Sequence, residues 1–389
     1  MSHDSRQLLW LILFRLTRSF AAGIIILALP YYVLKDLHQR ALVLGFLYTA
    51  ATIGTAIFSL ACGYLTDLWG RKKTLFLIGA LLPVGALCAF ASTGLPALFV
   101  GAILGGFTAT GSRAAGSVGG AAQPIQSALI TEFTAIRNRT FWFSLFAFLS
   151  GVLGAAGLLA ARLFSARIAF LAALVSSGAG LLFLIPIQSV KVPESARRSV
   201  TSRKIIGKFS LTAALNGLSQ GIVMPFLIPF FVLVYHTPKS AMSIYAFGGE
   251  MIAAVAILVA PWLERLFGFV KSVAFTRGLG AALLLLLPWT RIFALAIIVY
   301  MLTPALRILA VPAQQTALTA MVRNQEMGRA LAMNQVARLS SSAGAVAFSG
   351  YMFETTEIAV PFYVYAALTC VSLALYFRFF GANPELGSE

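Results

Sequence analysis

The chain has 389 residues, 59% of them apolar and 11% charged, with 29 Lys and Arg against 12 Asp and Glu for a net charge of +17. Soluble domains carry about 25% charged residues, so this composition excludes a cytosolic enzyme, a coiled coil and a disordered chain. Such a basic balance in a soluble protein would point to nucleic acid. Here the cations sit in short loops between apolar runs, which points to anionic membrane lipid and away from a nucleic-acid partner.

A membrane-spanning helix needs about 20 apolar residues, and polar punctuation divides the chain into twelve such runs. The first six lie near residues 8–34, 41–63, 74–93, 96–131, 140–161 and 168–189, the second six near 209–236, 241–263, 272–290, 292–322, 328–352 and 359–380. The polar stretch 190–208 (VKVPESARRSVTSRKIIGK) divides them. The expected architecture is all-α and polytopic, with one six-helix bundle over 1–189, a linker over 190–208 and a second bundle over 209–389. The first run carries Arg15 and Arg18 and is too long for a signal peptide, so it reads as a mature helix. Cys62, Cys88 and Cys370 each stand alone in an apolar run, without disulfide or metal spacing.

Orientation follows from the loop cations. With the amino terminus inside, 17 Lys and Arg fall on the cytoplasmic side and six on the outer side, so both termini are expected in the cytoplasm. The halves also repeat. Gln126-Ser-Ala-Leu129 near the end of span 4 recurs as Gln315-Thr-Ala-Leu318 near the end of span 10. Span 5 from Arg139 keeps register with span 11 from Arg329, matching Leu149-Ser150 with Leu339-Ser340 and Gly154-Ala155 with Gly344-Ala345. Several matches at offsets of 189–190 residues indicate duplication into parallel repeats.

Between spans 2 and 3 lies Gly63-Tyr-Leu-Thr-Asp67-Leu-Trp-Gly70-Arg71-Lys72-Lys73. Gly63 and Gly70 permit close helix approach and a tight turn. Asp67 suits a neighbouring helix N-terminus, where a carboxylate gains about 0.3–1 kcal/mol. Arg71 can pair with an acid at the cytoplasmic end of span 4, where Glu132 is the candidate. The segment resembles the loop signature of the major facilitator superfamily, G-x-L-x-D-x-x-G-R-K/R-K/R, at every defining position. The resemblance extends over the whole chain: twelve spans, two halves and a basic central linker. It implies two bundles that rock about a midplane cavity, with Asp67, Arg71 and Glu132 latching the cytoplasmic side in the outward-facing state. The second-half copy, Leu263-Glu264-Arg265-Leu266-Phe267-Gly268, keeps the glycine but has Arg265 where the acid would be, which implies a weaker latch there.

Two further features resemble the drug–proton antiporter branch incompletely. Arg113 lies 19 residues before Glu132, about where those antiporters carry a mid-helix arginine, but Ala115-Gly116 follows in place of Gln-Gly. Ser150-Gly-Val-Leu-Gly154-Ala-Ala-Gly157 is similar to their glycine motif without its proline. Close helix packing by small residues explains the same glycines.

Six arginines fall inside spans: Arg15, Arg18, Arg113, Arg277, Arg307 and Arg338. A charge at the bilayer centre costs about 2.5–3.5 kcal/mol on insertion scales, so such groups should face water, a partner or substrate. Arg15 and Arg277 stand near helix ends and are expected to snorkel. Arg18, Arg113 and Arg307 are deeper, on spans that line the cavity in the resembled family; a structural ion pair or carbonyl-capping role stands beside a cavity role. Glu250 in span 8 is the one clearly intramembrane acid. Desolvation favours the neutral carboxyl, making Glu250 a candidate proton carrier or the permanent partner of an arginine; Asp36, at the outer end of span 1, is a weaker candidate. The excess of guanidinium over carboxylate favours an anionic substrate, because Arg binds carboxylate and phosphate bidentately. Arg338 joins this set. Gln123, Gln126, Asn216, Gln220, Gln314, Gln315, Asn334, Gln335, Tyr31 and Tyr245 are available to orient an organic body, or to bond between helices. Pro225 and Pro229 in span 7 and Pro304 and Pro312 in span 10 are expected to kink those helices.

The expected function is secondary active transport of a small organic solute, anionic or amphipathic, across the cytoplasmic membrane by alternating access, coupled to protons, by a monomer without cofactor or metal. Efflux of lipophilic compounds against protons and proton-independent exchange of organic anions are the alternatives. An intramembrane enzyme lacks a nucleophile–base pair or metal cluster: His3, His38 and His236 fall at ends or loops. No nucleotide-binding glycine loop supports direct drive by ATP. A sensor that does not transport is the third class, disfavoured by the intact latch motif.

Overall fold

The computed structural model describes residues 3–91, 94–107, 122–134, 139–188, 203–321, 327–355 and 357–380. Among them are fourteen α-helices and no strand: α1 His3–Tyr31, α2 Ala41–Trp69, α3 Arg71–Ala91, α4 Leu95–Gly105, α5 Gln123–Phe133, α6 Arg139–Ala160, α7 Ala166–Leu182, α8 Arg203–Val223, α9 Leu227–Val234, α10 Lys239–Phe267, α11 Phe269–Leu286, α12 Phe293–Met321, α13 Met327–Thr355 and α14 Val360–Phe380. In hydrocarbon every backbone amide must bond within its own segment, which forces apolar runs into helices. Among the described residues nine segments are long and apolar enough to cross a membrane, and α4 and α7 are shorter apolar helices. Their exposed faces are apolar: Ile53, Ile57, Leu60, Tyr64 and Leu68 form an outward stripe on α2.

Two helix pairs share one expected span each. α4 and α5 fall in the fourth run, α4 ending at Gly106 in a left-handed conformation. α8 and α9 share the seventh, separated by a 3₁₀ turn at Met224–Phe226. Pro225 lies inside that turn, where its missing N–H cannot continue the α ladder. α12 stays helical through Pro304 and Pro312.

The repeat is visible in how helices end. Gly70 (φ 81°) and Gly268 (φ 71°) occupy the same left-handed region at the turns joining α2 to α3 and α10 to α11. A side chain would be strained at either position, which accounts for a glycine in both copies. His38 (φ 49°) and His236 (φ 50°) also share a left-handed backbone after the first and seventh spans. In each case the following amide bonds six residues back, Gln39 N to Val33 O and Thr237 N to Phe231 O. Upstream, Pro30-Tyr31-Tyr32-Val33-Leu34 parallels Pro229-Phe230-Phe231-Val232-Leu233, yet one more residue separates Val33 from His38 than Val232 from His236. The π-helical turn Tyr32–Asp36 absorbs that additional residue, as single-residue π-bulges do.

The chain packs as two compact units, Met1–Ser195 with Ile228–Phe247, and Ala196–Leu227 with Gly248–Glu389. In the first unit the segment 228–247 is fastened by the Tyr31 hydroxyl, which donates to Thr237 O (2.7 Å), and by Lys239 Nζ, which donates to Phe164 O (2.8 Å). Also in this unit, α1 crosses α6 closely: a Cβ at Gly23 would collide with the Gly154 carbonyl, and one at Gly157 with the Phe20 carbonyl. In the second unit α8 crosses α13 likewise, with Gly217 against the Arg338 carbonyl, Gly221 against Ser342, and the Ser349 hydroxyl donating to Ile222 O. Without a hydrophobic force between helices in lipid, such small-residue crossings supply the packing.

Candidate functional site

In the first unit, Arg15 is 6% exposed and joins three helices. Its Nε donates to Ser150 Oγ on α6 (2.6 Å) and its Nη1 to Gln126 Oε1 on α5 (3.0 Å). The guanidinium also lies over the Phe146 ring at 5.7 Å. The Ser150 hydroxyl in turn donates a hydrogen bond to Phe146 O at 2.6 Å. Gln126 is fully buried, and its amide Nε2 has no protein hydrogen bond. Because Arg15 occupies the amide oxygen, the group that Gln126 leaves to offer is a donor. Arg15 therefore does not snorkel to a helix end: its bonding partners hold it inside the bundle.

Arg18 stands three residues further along α1 and points to a different helix. Its Nη1 donates to Gly79 O on α3 at 2.6 Å, and its guanidinium covers the Phe14 ring at 5.4 Å. With Thr55, Phe58 and Gly105 it lines a cavity of about 10 Å³, room for about one water. Arg113 lies outside the described residues.

In the second unit, Arg307 on α12 and Arg338 on α13 lie within electrostatic reach of each other. Arg338 Nη2 donates to Gln335 Oε1 at 2.9 Å, which aims the guanidinium. One turn earlier on α13, Asn334 Nδ2 donates to Phe209 O on α8 at 3.1 Å, and Gln220 Nε2 donates to Asn216 Oδ1 along α8 at 3.0 Å. Two like charges on neighbouring helices in a low-dielectric setting repel, and an anion bridging them relieves the repulsion. Glu250 is buried on α10, at 6% exposure. Asp36 is exposed and has Lys239 as its electrostatic neighbour. The Gln315 side chain lies outside the described residues. Arg277, expected at a rim, has its Nη1 buried and its guanidinium over Tyr376 at 5.7 Å.

The loop motif also has a defined geometry. Gly70 turns the chain directly from α2 into α3, which puts Arg71 at the first position of α3. Arg71 Nη1 meets Glu132 Oε2 at 2.6 Å, with the two side chains 23% and 16% exposed. Next to it, Lys72 Nζ donates to Ile185 O at 2.6 Å, just beyond α7. The surroundings of Gly63 and the Asp67 side chain lie outside what the structure describes, as do the side chains of Glu264 and Arg265.

The sequence alone did not join Arg15 to Ser150 and Gln126. The signal available was chemical: a guanidinium, an amide and a hydroxyl in three otherwise apolar runs of one half must find one another or remain unsatisfied in lipid.

The family model of the Major Facilitator Superfamily matches residues 11–210. No curated protein matches. Among solved structures, a single-substitution mutant of the nucleoside transporter NupG superposes with a TM-score of 0.76 at 14% identity over 96% of this chain and 100% of its own. A D-xylose-proton symporter gives a TM-score of 0.76 at 14% identity, covering 100% of both chains. The human organic anion transporter MFSD10 (TETRAN) gives 0.69 at 12% identity over 97% of this chain and 100% of its own. At such identities the likeness establishes the fold: twelve transmembrane helices in the major facilitator arrangement.

Proposed function

The chain belongs to the major facilitator superfamily, a family of membrane transporters and not of enzymes, and within it we propose a secondary active transporter of small organic anions. The observation that carries this reading is the juxtaposition of Arg307 and Arg338 on α12 and α13, with Gln335 orienting one of them. Two guanidinium groups within electrostatic reach of each other match a carboxylate or phosphate, while a neutral sugar gains only uncharged hydrogen bonds from them and a lipophilic cation is repelled. The same fold serves the human organic anion transporter named above.

The proposed cycle is alternating access in the cytoplasmic membrane, with both termini in the cytoplasm and the monomer as the working unit. Protons drive it, with Glu250 as the carrier. The Arg71–Glu132 pair, together with Asp67, closes the cytoplasmic side in one half of the cycle and parts in the other. A thermal-shift screen of purified protein against libraries of organic anions and lipophilic cations at two pH values tests the substrate class. Stabilisation by anions supports the proposal; stabilisation confined to lipophilic cations replaces it with drug–proton antiport.

A further inference from the structure

At one end of the second unit, Ile206 and Phe209 of α8, Val273 of α11, Ala310 of α12 and Tyr376 and Phe380 of α14 form a buried cluster, with Val270 and Phe379 packed on it. None of these residues is acidic. Among the described residues, Lys208 and Arg277 lie against its rings, and in the chain Lys271 directly follows Val270 and Arg378 directly precedes Phe379. Lys208, Lys271 and Arg378 are exposed, and Lys208 Nζ lies 5.6 Å from the centre of the Phe379 ring. Arg277 is the inner cation. It sits six residues beyond Lys271, about 9 Å along the helix, with its guanidinium 5.7 Å from the Tyr376 ring centre. Gly278, beside it, faces Leu373 of α14 at contact distance, which sets Arg277 level with the Ser372–Tyr376 turn.

Two polar groups at this level lack a protein hydrogen bond. Arg277 Nη1 is buried and unbonded, and so is Ser372 Oγ, in a residue 1% exposed. Among the described residues the electrostatic neighbours of Arg277 are the hydroxyls of Tyr365 and Tyr376, not a carboxylate. A buried donor left unmade costs about 1–3 kcal/mol, more when charged, so a positively charged group with an unbonded N–H, facing a helix that carries an unbonded hydroxyl, calls for an acceptor carrying negative charge. The outer ring of lysines and arginine selects for the same sign. Basic sites between spans near the membrane surface take phosphate-bearing headgroups, and the exposed rings of Phe275, one turn from Lys271, and Phe377, next to Arg378, offer apolar surface to the acyl chains. A soluble anion has no use for the exposed rings of Phe275 and Phe377.

We infer that this end of the second unit, with Arg277 at its centre and Lys208, Lys271 and Arg378 at its rim, is a binding site for the phosphate headgroup of an anionic phospholipid. Arg277 and Ser372 contact the phosphate, and the rim cations supply attraction and preference over zwitterionic lipid. Arg277 shares Tyr365 as an electrostatic neighbour with Arg307, so the exposed rim cations Lys208 and Arg378 are the positions at which substitution separates lipid binding from substrate transport.

The test uses the whole purified protein, stripped of lipid in detergent and titrated separately with phosphatidylglycerol, phosphatidylcholine of the same chains, and inorganic phosphate. Bound lipid is read by native mass spectrometry and stability by thermal unfolding. Phosphatidylglycerol is expected to stay bound and raise the unfolding midpoint, with at least tenfold weaker binding in Arg277→Gln. The double variant Lys208→Gln/Arg378→Gln, altered only at exposed positions, is expected to weaken binding several-fold without shifting the lipid-free midpoint; with Ser372→Ala it decides the matter if Arg277→Gln does not fold. Unchanged phosphatidylglycerol retention in these variants overturns the proposal, as does equal retention of phosphatidylcholine. Stabilisation by inorganic phosphate to the same extent overturns the lipid assignment and makes the site one for soluble phosphate.

Discussion

Arg15 and Gln126 meet through a 3.0 Å hydrogen bond between α1 and α5, and Ser150 of α6 completes the contact from the other side. A charge that would be costly alone in the membrane thereby becomes a fixed point of the first bundle. Replacing Arg15 with Met leaves the Gln126 oxygen without its donor, for a loss of about 1–3 kcal/mol. Thermal unfolding in detergent measures it. Because the two residues act through one bond, Arg15→Met/Gln126→Leu is expected to cost less than the sum of its single substitutions. Strict additivity would remove the node from the account of stability.

Arg71 and Glu132 form a partly exposed pair, and pairs of that kind contribute only about 0.2–1 kcal/mol to folding. Glu132→Gln is therefore expected to leave membrane insertion and unfolding temperature nearly unchanged while lowering flux, and Asp67→Asn is expected to behave in the same way. Exchange of the charges, Arg71→Glu with Glu132→Arg, should recover part of the lost flux. Full activity in Asp67→Asn would contradict the latch.

Glycine positions differ in what surrounds them. A Cβ at Gly217 would strike the Arg338 carbonyl, whereas Gly344 has nothing within 4 Å. Gly217→Ala is expected to destabilise by about 1–3 kcal/mol as an overpacked contact. Gly344→Ala, in the middle of α13, is expected to be neutral or to stabilise by about 0.5–1 kcal/mol through helix propensity. Equal effects at the two positions would show that the α8–α13 crossing is looser than described.

Glu250 is buried on α10. If it carries the coupling proton, Glu250→Gln removes the pH dependence of flux while retaining downhill exchange of substrate. A pH profile identical to that of the unsubstituted protein would assign Glu250 to structure.

The succession of spans was readable because lipid imposes one demand, an apolar helix of sufficient length, at every crossing. The shared turns at Gly70 and Gly268 were readable as well, since a left-handed turn selects glycine directly in the sequence. The place of Arg15 was not, because its partners stand 111 and 135 residues away and helix-end position alone suggested the rim. The π-turn at Tyr32–Asp36 was hidden for another reason: it appears in sequence only as a one-residue mismatch between two repeats. Arg18 and Arg15 share a helix, yet they separate toward α3 and toward α5 and α6, a divergence set by packing and invisible to hydropathy.

Flux through sealed proteoliposomes tests the central claim most directly. Labelled organic carboxylates or phosphates are presented under an imposed pH gradient, to unsubstituted protein and to Arg307→Gln and Arg338→Gln variants confirmed to be folded. The expected result is saturable, gradient-driven movement of the anion that falls at least tenfold in each variant. Anion flux that is indifferent to both substitutions, or flux confined to lipophilic cations, would contradict it.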